Sequence, residues 1–112
     1  MHEFSIAQSI IDLAVQTAKE HRADHISSVE VEIGQAAGVV QEALEFAWES
    51  AIKDTMMDQA SLVIHSIPLE VVCRKCGAHY SPREIYETCP QCESIDPEIL
   101  KGLELRVSAI VT

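Results

Sequence analysis

Four cysteines in two spaced pairs constrain this chain more than any other feature. Cys73-x-x-Cys76 is followed, after twelve intervening residues, by Cys89-x-x-Cys92. Two residues between paired cysteines let the backbone fold into a tight knuckle whose sulfurs converge on one ion. Two facing knuckles complete a tetrahedral S₄ set with metal–sulfur distances of about 2.3 Å. Gly77 suits a knuckle that needs positive φ, and Pro90 stiffens the second. Arg74 and Lys75, inside the first knuckle, offset the excess charge of four thiolates. The spacing predicts zinc at Cys73, Cys76, Cys89 and Cys92, with iron the other metal an S₄ site accepts. Four thiolates leave no position open for a reactive water, so this metal is expected to be structural and not catalytic.

Two other uses of the cysteines fit less well. Met1 is followed by His2 and Glu3, not by the basic and then apolar stretches of a secretory leader. The chain is therefore expected to stay in a reducing cytoplasm, with thiols available to metal and not paired as disulfides. A redox-active pair would sit at a helix start after a strand, and neither pair does.

The chain has 112 residues, 47% of them hydrophobic but only 4% aromatic. That allows one small domain with a minor second module, whose thin core gains from a bound metal. The formal charge of −10 repels phosphate backbones and anionic lipid, which argues against nucleic-acid or membrane partners. The longest apolar runs fall far short of the ~20 residues of a membrane span.

The pattern of the remaining sequence is α+β. Ile6, Ile10, Leu13 and Ala14 recur with helical period within residues 4–20, and Ser5 with Gln8 matches a capping box. Met1, His2 and Glu3 would then form a short arm at the helix start. Val29-Glu30-Val31-Glu32-Ile33 alternates as a half-buried strand ending at Gly34. A second helix is expected over 40–55, with Val40, Leu44, Ala47, Trp48, Ala51 and Ile52 on one face and Trp48 as a core anchor. A long strand follows over 61–72, interrupted at Pro68, which cannot donate to a ladder. A third strand runs from Leu103 to Val111. These elements predict a small three-stranded mixed sheet packed with two helices, plus an inserted four-cysteine zinc-ribbon module. The module would occupy 73–94, hinged near Val72 and Pro97, and the α/β domain 1–72 and 95–112.

The amino terminus carries a second set of potential ligands. The free α-amine, the His2 backbone nitrogen and the His2 imidazole can close fused chelate rings around one ion. With the Glu3 nitrogen the set becomes square-planar and nitrogen-rich, as Ni(II) or Cu(II) prefers. The Glu3 carboxylate could add an oxygen. A solvated histidine in a frayed terminus is the plain alternative.

Taken together, these residues make the chain similar to the HypA/HybF family of hydrogenase nickel-incorporation proteins. The resemblance rests on Met1-His2-Glu3-Phe4-Ser5, Val31-Glu32-Ile33-Gly34 with Val39, Leu44-x-Phe46 and both cysteine pairs in order, and covers nearly the whole chain. It implies a nickel metallochaperone for [NiFe]-hydrogenase maturation that works with a HypB-type GTPase and the hydrogenase large-subunit precursor, as a monomer or weak homodimer. It also implies nickel at Met1, His2 and Glu3, with the zinc module communicating with that site. Two positions depart from the family pattern. The acidic residue that some relatives carry before the second helix corresponds to Val40, with Glu42 two residues on. The glycine that often follows the last cysteine is replaced by Glu93.

Four other histidines are less informative. His21 and His25 fall at the expected end of the first helix, where capping or solvation accounts for them. His65 lies in a strand without metal-binding neighbours. His79, three residues past the first knuckle, could serve as a spare ligand or sense charge near neutral pH. No Ser–His–Asp set, phosphate loop or HExxH motif is present, so an enzyme is not expected. A zinc-ribbon protein–protein adapter without a transported metal is the alternative function.

Overall fold

The computed structural model describes residues 2–112. Two helices and six strands follow in the order α1 (His2–Glu20), β1 (Ser28–Gly34), α2 (Gln41–Ala51), β2 (Ser61–Ile67), β3 (Glu70–Cys73), β4 (His79–Tyr80), β5 (Pro97–Lys101) and β6 (Leu105–Val111). The strands form two three-stranded sheets, ordered β2-β1-β6 and β4-β3-β5. The chain divides into two compact units. One holds the residues up to Val31, Val39–His65 and Arg106–Thr112; the other holds Glu32–Gly38 and Ser66–Leu105. The cysteine stretch 73–94 lies wholly inside the second.

In the first unit α1 buries Ala7, Ile10, Ile11, Ala14 and Ala18, and α2 buries Leu44, Ala47 and Trp48. Small residues on the buried stripe of α1 allow the two helices to approach closely, and they pack on each other. Trp48 is the expected core anchor: it is buried, and its indole Nε1 donates to the Ala60 carbonyl at 3.1 Å. That bond satisfies the one polar atom of the ring. Helix α1 ends where Arg22 adopts φ 56° and the Ala23 N–H donates back to the Ala18 carbonyl at 2.8 Å, a left-handed stop that ties up end carbonyls.

Helix α1 begins at His2, so His2 and Glu3 are its first turn and not an arm before it. The Ser5–Gln8 capping box does not form; Gln8 Nε2 donates to Asp12 Oδ1 at 2.9 Å, one turn further on. Helix α2 is shorter than its apolar pattern suggested. It gives way after Ala51 to turns in which Thr55 Oγ1 donates to the Ile52 carbonyl at 2.7 Å and accepts the Met57 N–H at 3.0 Å, a side-chain competition that favours turns over helix.

The first sheet is mixed. The Ser61 N–H donates to the Ser27 carbonyl at 3.0 Å and the Gln35 N–H to the Ile67 carbonyl at 2.8 Å, so β1 and β2 run parallel, joined through α2 as a parallel crossover requires. The Ser27 N–H donates to Val111 and the Gly34 N–H to Glu104, both at 2.7 Å, so β6 runs antiparallel to β1. Alternation along β1 buries Val29, Val31 and Ile33 on one face.

Pro68 marks the exit from this sheet. Beyond it the expected long strand becomes a separate element, β3, at the centre of the second sheet. Val71 and Val72 pair with Tyr80 and His79 on one side, and Val71 with Ile99 and Cys73 with Pro97 on the other. This sheet, with β4 and β5, was not expected from the sequence. Gly34 also belongs to the second unit, and a Cβ there would lie 2.1 Å from the Gly102 carbonyl carbon. Only glycine permits that backbone approach.

Candidate metal centre

The two knuckles are built alike. Strand β3 delivers Cys73, whose carbonyl accepts the Gly77 N–H at 2.8 Å while its own N–H donates to the Ala78 carbonyl at 2.8 Å. In the second knuckle the Cys89 carbonyl accepts the Glu93 N–H at 2.8 Å, and the Cys89 N–H donates to the Ser94 carbonyl at 2.9 Å. Gly77 and Glu93 hold equivalent places, with φ 79° and 64°. Glu93 therefore takes the left-handed conformation that Gly77 takes in the first knuckle.

The four sulfurs lie within 4.8 Å of one another. Cys73 Sγ and Cys92 Sγ are 3.6 Å apart, as are Cys76 Sγ and Cys89 Sγ. A tetrahedral ion with bonds near 2.3 Å sets its sulfurs about 3.8 Å apart, so the spacing fits such an ion. Among the described residues this is the one group of three or more Cys, His, Asp or Glu ligands close enough to share a metal.

The electrostatics point the same way. Backbone N–H groups of Cys76 and Lys75, with the neighbouring thiols of Cys92 and Cys76, hold the Cys73 thiol down at about 6. The Cys89 thiol also lies below its ordinary value, where the N–H groups of Cys92 and Gln91 outweigh burial. At Cys76 the Ala78 N–H lowers the pKa, but burial and the sulfurs of Cys89, Cys92 and Cys73 outweigh it and push the thiol up to about 12. Four sulfurs this close cannot all ionise without a cation, and a divalent ion removes the conflict by displacing the shared protons. The buried Tyr80 hydroxyl, which has no hydrogen-bond partner among the described residues, is likewise pushed up by burial and by the four sulfurs.

The amino-terminal set is only partly visible, because Met1 and its α-amine lie outside the described residues. The His2 Nε2 is 3.5 Å from Glu3 Oε2. The same Glu3 oxygen accepts the Val40 N–H at 3.2 Å. Bonds from Val40 and from its own N–H hold the Glu3 carboxyl below the usual carboxylate range. Position 40 thus meets Glu3 through its backbone. Glu42 is exposed.

Among the described residues no histidine joins the cysteine group. His25 pairs with Asp24 at 3.1 Å and His65 with Glu30 at 2.7 Å, and His79 is exposed on β4. No local pattern signals the Val40 contact, since 37 residues separate the partners. No helix among the described residues is long and apolar enough to cross a membrane.

A two-helix, mixed-sheet unit together with a four-thiol knuckle pair defines a small metal-binding protein. A family model described as "Hydrogenase/urease nickel incorporation, metallochaperone, hypA" matches residues 1–112, and the chain belongs to that family. It is 40% identical to the hydrogenase maturation factor HypA of Parabacteroides distasonis over 111 residues, covering 99% of this chain and 96% of that one. It is 37% identical to the HypA of Geotalea uraniireducens over 110 residues, covering 98% and 97%. The solution structure of the Ni metallochaperone HypA from Helicobacter pylori matches with a TM-score of 0.68 at 28% identity, covering 99% and 97%.

Proposed function

We propose that the chain is a nickel metallochaperone that takes up Ni(II) at Met1, His2 and Glu3 and helps insert it into [NiFe]-hydrogenase during maturation. Its working partners are a HypB-type GTPase and the hydrogenase large-subunit precursor, and it works in the cytoplasm as a carrier and not a catalyst. Zinc occupies Cys73, Cys76, Cys89 and Cys92 as a scaffold ion within 73–94, while residues 1–72 and 95–112 carry the nickel role.

The meeting at Glu3 carries this reading. An imidazole nitrogen 3.5 Å from a carboxylate oxygen at the first turn of α1 offers nitrogen and oxygen donors. The first N–H groups of a helix also lack intrahelical acceptors, so backbone nitrogens there are not committed to the helix ladder. Such a set suits Ni(II). The first buried residue of α1 is Ala7, so opening the first turn costs the Glu3–Val40 bond and no fully buried side chain, which suits an ion that must be released.

Metal analysis of untagged protein after adding Ni(II) tests the proposal. The expected result is one zinc and one nickel per chain, with the nickel lost in His2→Ala and on blocking the α-amine. Nickel stoichiometry unchanged by both would overturn the site.

A further inference from the structure

The Gln35 side chain joins three separate parts of the second unit. Its Nε2 donates to two successive carbonyls, Pro82 at 3.2 Å and Arg83 at 2.6 Å. Its Oε1 accepts the Leu69 N–H at 2.9 Å. The partners fix the orientation of the amide: two carbonyls require the NH₂ group and an N–H requires the oxygen. Residues 82–83 lie in the stretch between the cysteine pairs, and Leu69 immediately precedes β3, which ends at Cys73.

The origin of this side chain is itself held in place. The Gln35 N–H donates to the Ile67 carbonyl and the Ala36 N–H to the Gly102 carbonyl, both at 2.8 Å. Just before them Gly34 is pressed against the Gly102 backbone. In the stretch that Gln35 grips Pro82 is buried, but residues 83–86 and 88 are exposed. After β4, residues 81–88 form no strand or helix. Two bonds within the stretch are local: the Arg83 N–H to Glu87 Oε2 at 3.2 Å and the Glu87 N–H to the Glu84 carbonyl at 3.1 Å. Cys89 follows this stretch directly, so Gln35 holds the loop that leads into the second knuckle.

We propose that the Gln35 carboxamide is a positioning group for the four-cysteine centre, clasping the Pro82–Arg83 loop to the Leu69 turn and so setting how readily the second knuckle opens to release its metal. The proposal rests on the reading of the cysteines as a metal centre. Gln35 touches no ligand; it acts through the loop that carries Cys89 and Cys92.

The test uses the full chain loaded with Zn(II) or Co(II), comparing wild type with Gln35→Glu, Gln35→Ala and Ile99→Ala. Glutamate is nearly isosteric and keeps an acceptor for Leu69, but its carboxylate faces two carbonyl oxygens and donates to neither. Ile99→Ala weakens the same sheet from β5 without touching the clasp. Zinc transfer to a chelator should be about tenfold faster in Gln35→Glu and Gln35→Ala, the scale of two lost hydrogen bonds. The ligand-field bands of bound Co(II) should shift with it. Ile99→Ala should leave both readouts near wild type at a comparable melting temperature. Wild-type release rates and spectra in both Gln35 variants would overturn the clasp, as would equal acceleration in Ile99→Ala. Absence of thiolate-to-cobalt charge transfer in wild type would instead remove the metal centre, and the clasp with it.

Discussion

The Glu3 carboxylate accepts the Val40 N–H at 3.2 Å, so the first turn of α1 caps the start of α2. Val40 is the N-cap of α2 and has no side-chain cap of its own. Glu3 instead accepts the N-cap's own N–H from 37 residues away, the part a capping-box carboxylate plays, and the Glu3 side chain is only 12% exposed. A nickel ion that recruited this carboxylate would have to share it with, or take it from, the helix it caps.

Acid should therefore erase the contribution of Glu3. Its carboxyl is held below the ordinary value by the Val40 N–H and by its own backbone N–H. A group with a lowered folded pKa stabilises the native state fully above its unfolded pKa and loses that contribution as pH falls through the folded value. Metal-free Glu3→Ala should melt below wild type at pH 7, and the gap should narrow steadily below about pH 4.5, the ordinary carboxyl value. A gap that stays constant from pH 7 to pH 3.5 would remove the charged cap.

Val40→Asp should give α2 a cap of its own. Val40 is 59% exposed, so little packing is lost, and its extended backbone at φ −83° and ψ 108° already suits a capping aspartate. Such a cap is worth about 1 kcal/mol, or roughly 4–8 °C in melting temperature for a domain of this size. Val40→Ser should gain at least as much, since it adds no second carboxylate beside Glu3. If Val40→Asp also tightens Ni(II) binding and Val40→Ser does not, the added carboxylate reaches the ion as well as the helix.

Local features of this fold were legible, and those built from distant partners were not. Cysteine spacing, the alternation of β1 and the break at Pro68 are written in runs of a few residues. Strand β4 has two residues and Pro97–Lys101 of β5 shows no clean alternation, so the second sheet left no periodic trace. Ser5 and Gln8 resembled a helix start, yet the helix already runs through them from His2, because first-turn N–H groups need no residue upstream. The contacts at Glu3 and Gln35 span 37 and up to 48 residues, and neither residue stands out by composition. Which site positions another is decided by topology, and sequence pattern reports topology least.

Glu93→Gly should stabilise the second knuckle. Glu93 sits at φ 64°, a left-handed conformation that costs a residue with a Cβ about 1–2 kcal/mol. Part of that returns as extra freedom of glycine in the unfolded chain, leaving a net gain of about 1 kcal/mol. Gly77→Ala, at φ 79° with open space around its Cβ, should cost a similar amount through backbone strain alone. Chemical denaturation of the metal-loaded chain reads both. A loss in Glu93→Gly would mean that the glutamate side chain makes up the strain.

Removing the metal should loosen the cysteine stretch and spare the helices. Cys73 and Cys89 are 2% and 0% exposed, so their sulfurs sit where apolar side chains would otherwise fill the interior. Without a cation those sulfurs hold shared protons and keep two backbone turns folded around a cluster that no longer binds them together. A small sheet whose end strands have two and five residues offers little apolar burial to replace that bond. In the first unit Trp48 and the buried stripes of α1 and α2 contain no metal ligand among the described residues. Hydrogen exchange after chelation should therefore show lost protection across residues 73–92 with α1 and α2 nearly unchanged, and the loss should reverse on adding Zn(II). Because loading displaces protons, with Cys76 pushed up to about 12, zinc retention should fall as the solution is acidified. Equal loss of protection in α1 would mean that the centre holds up the whole chain and not the cysteine stretch alone.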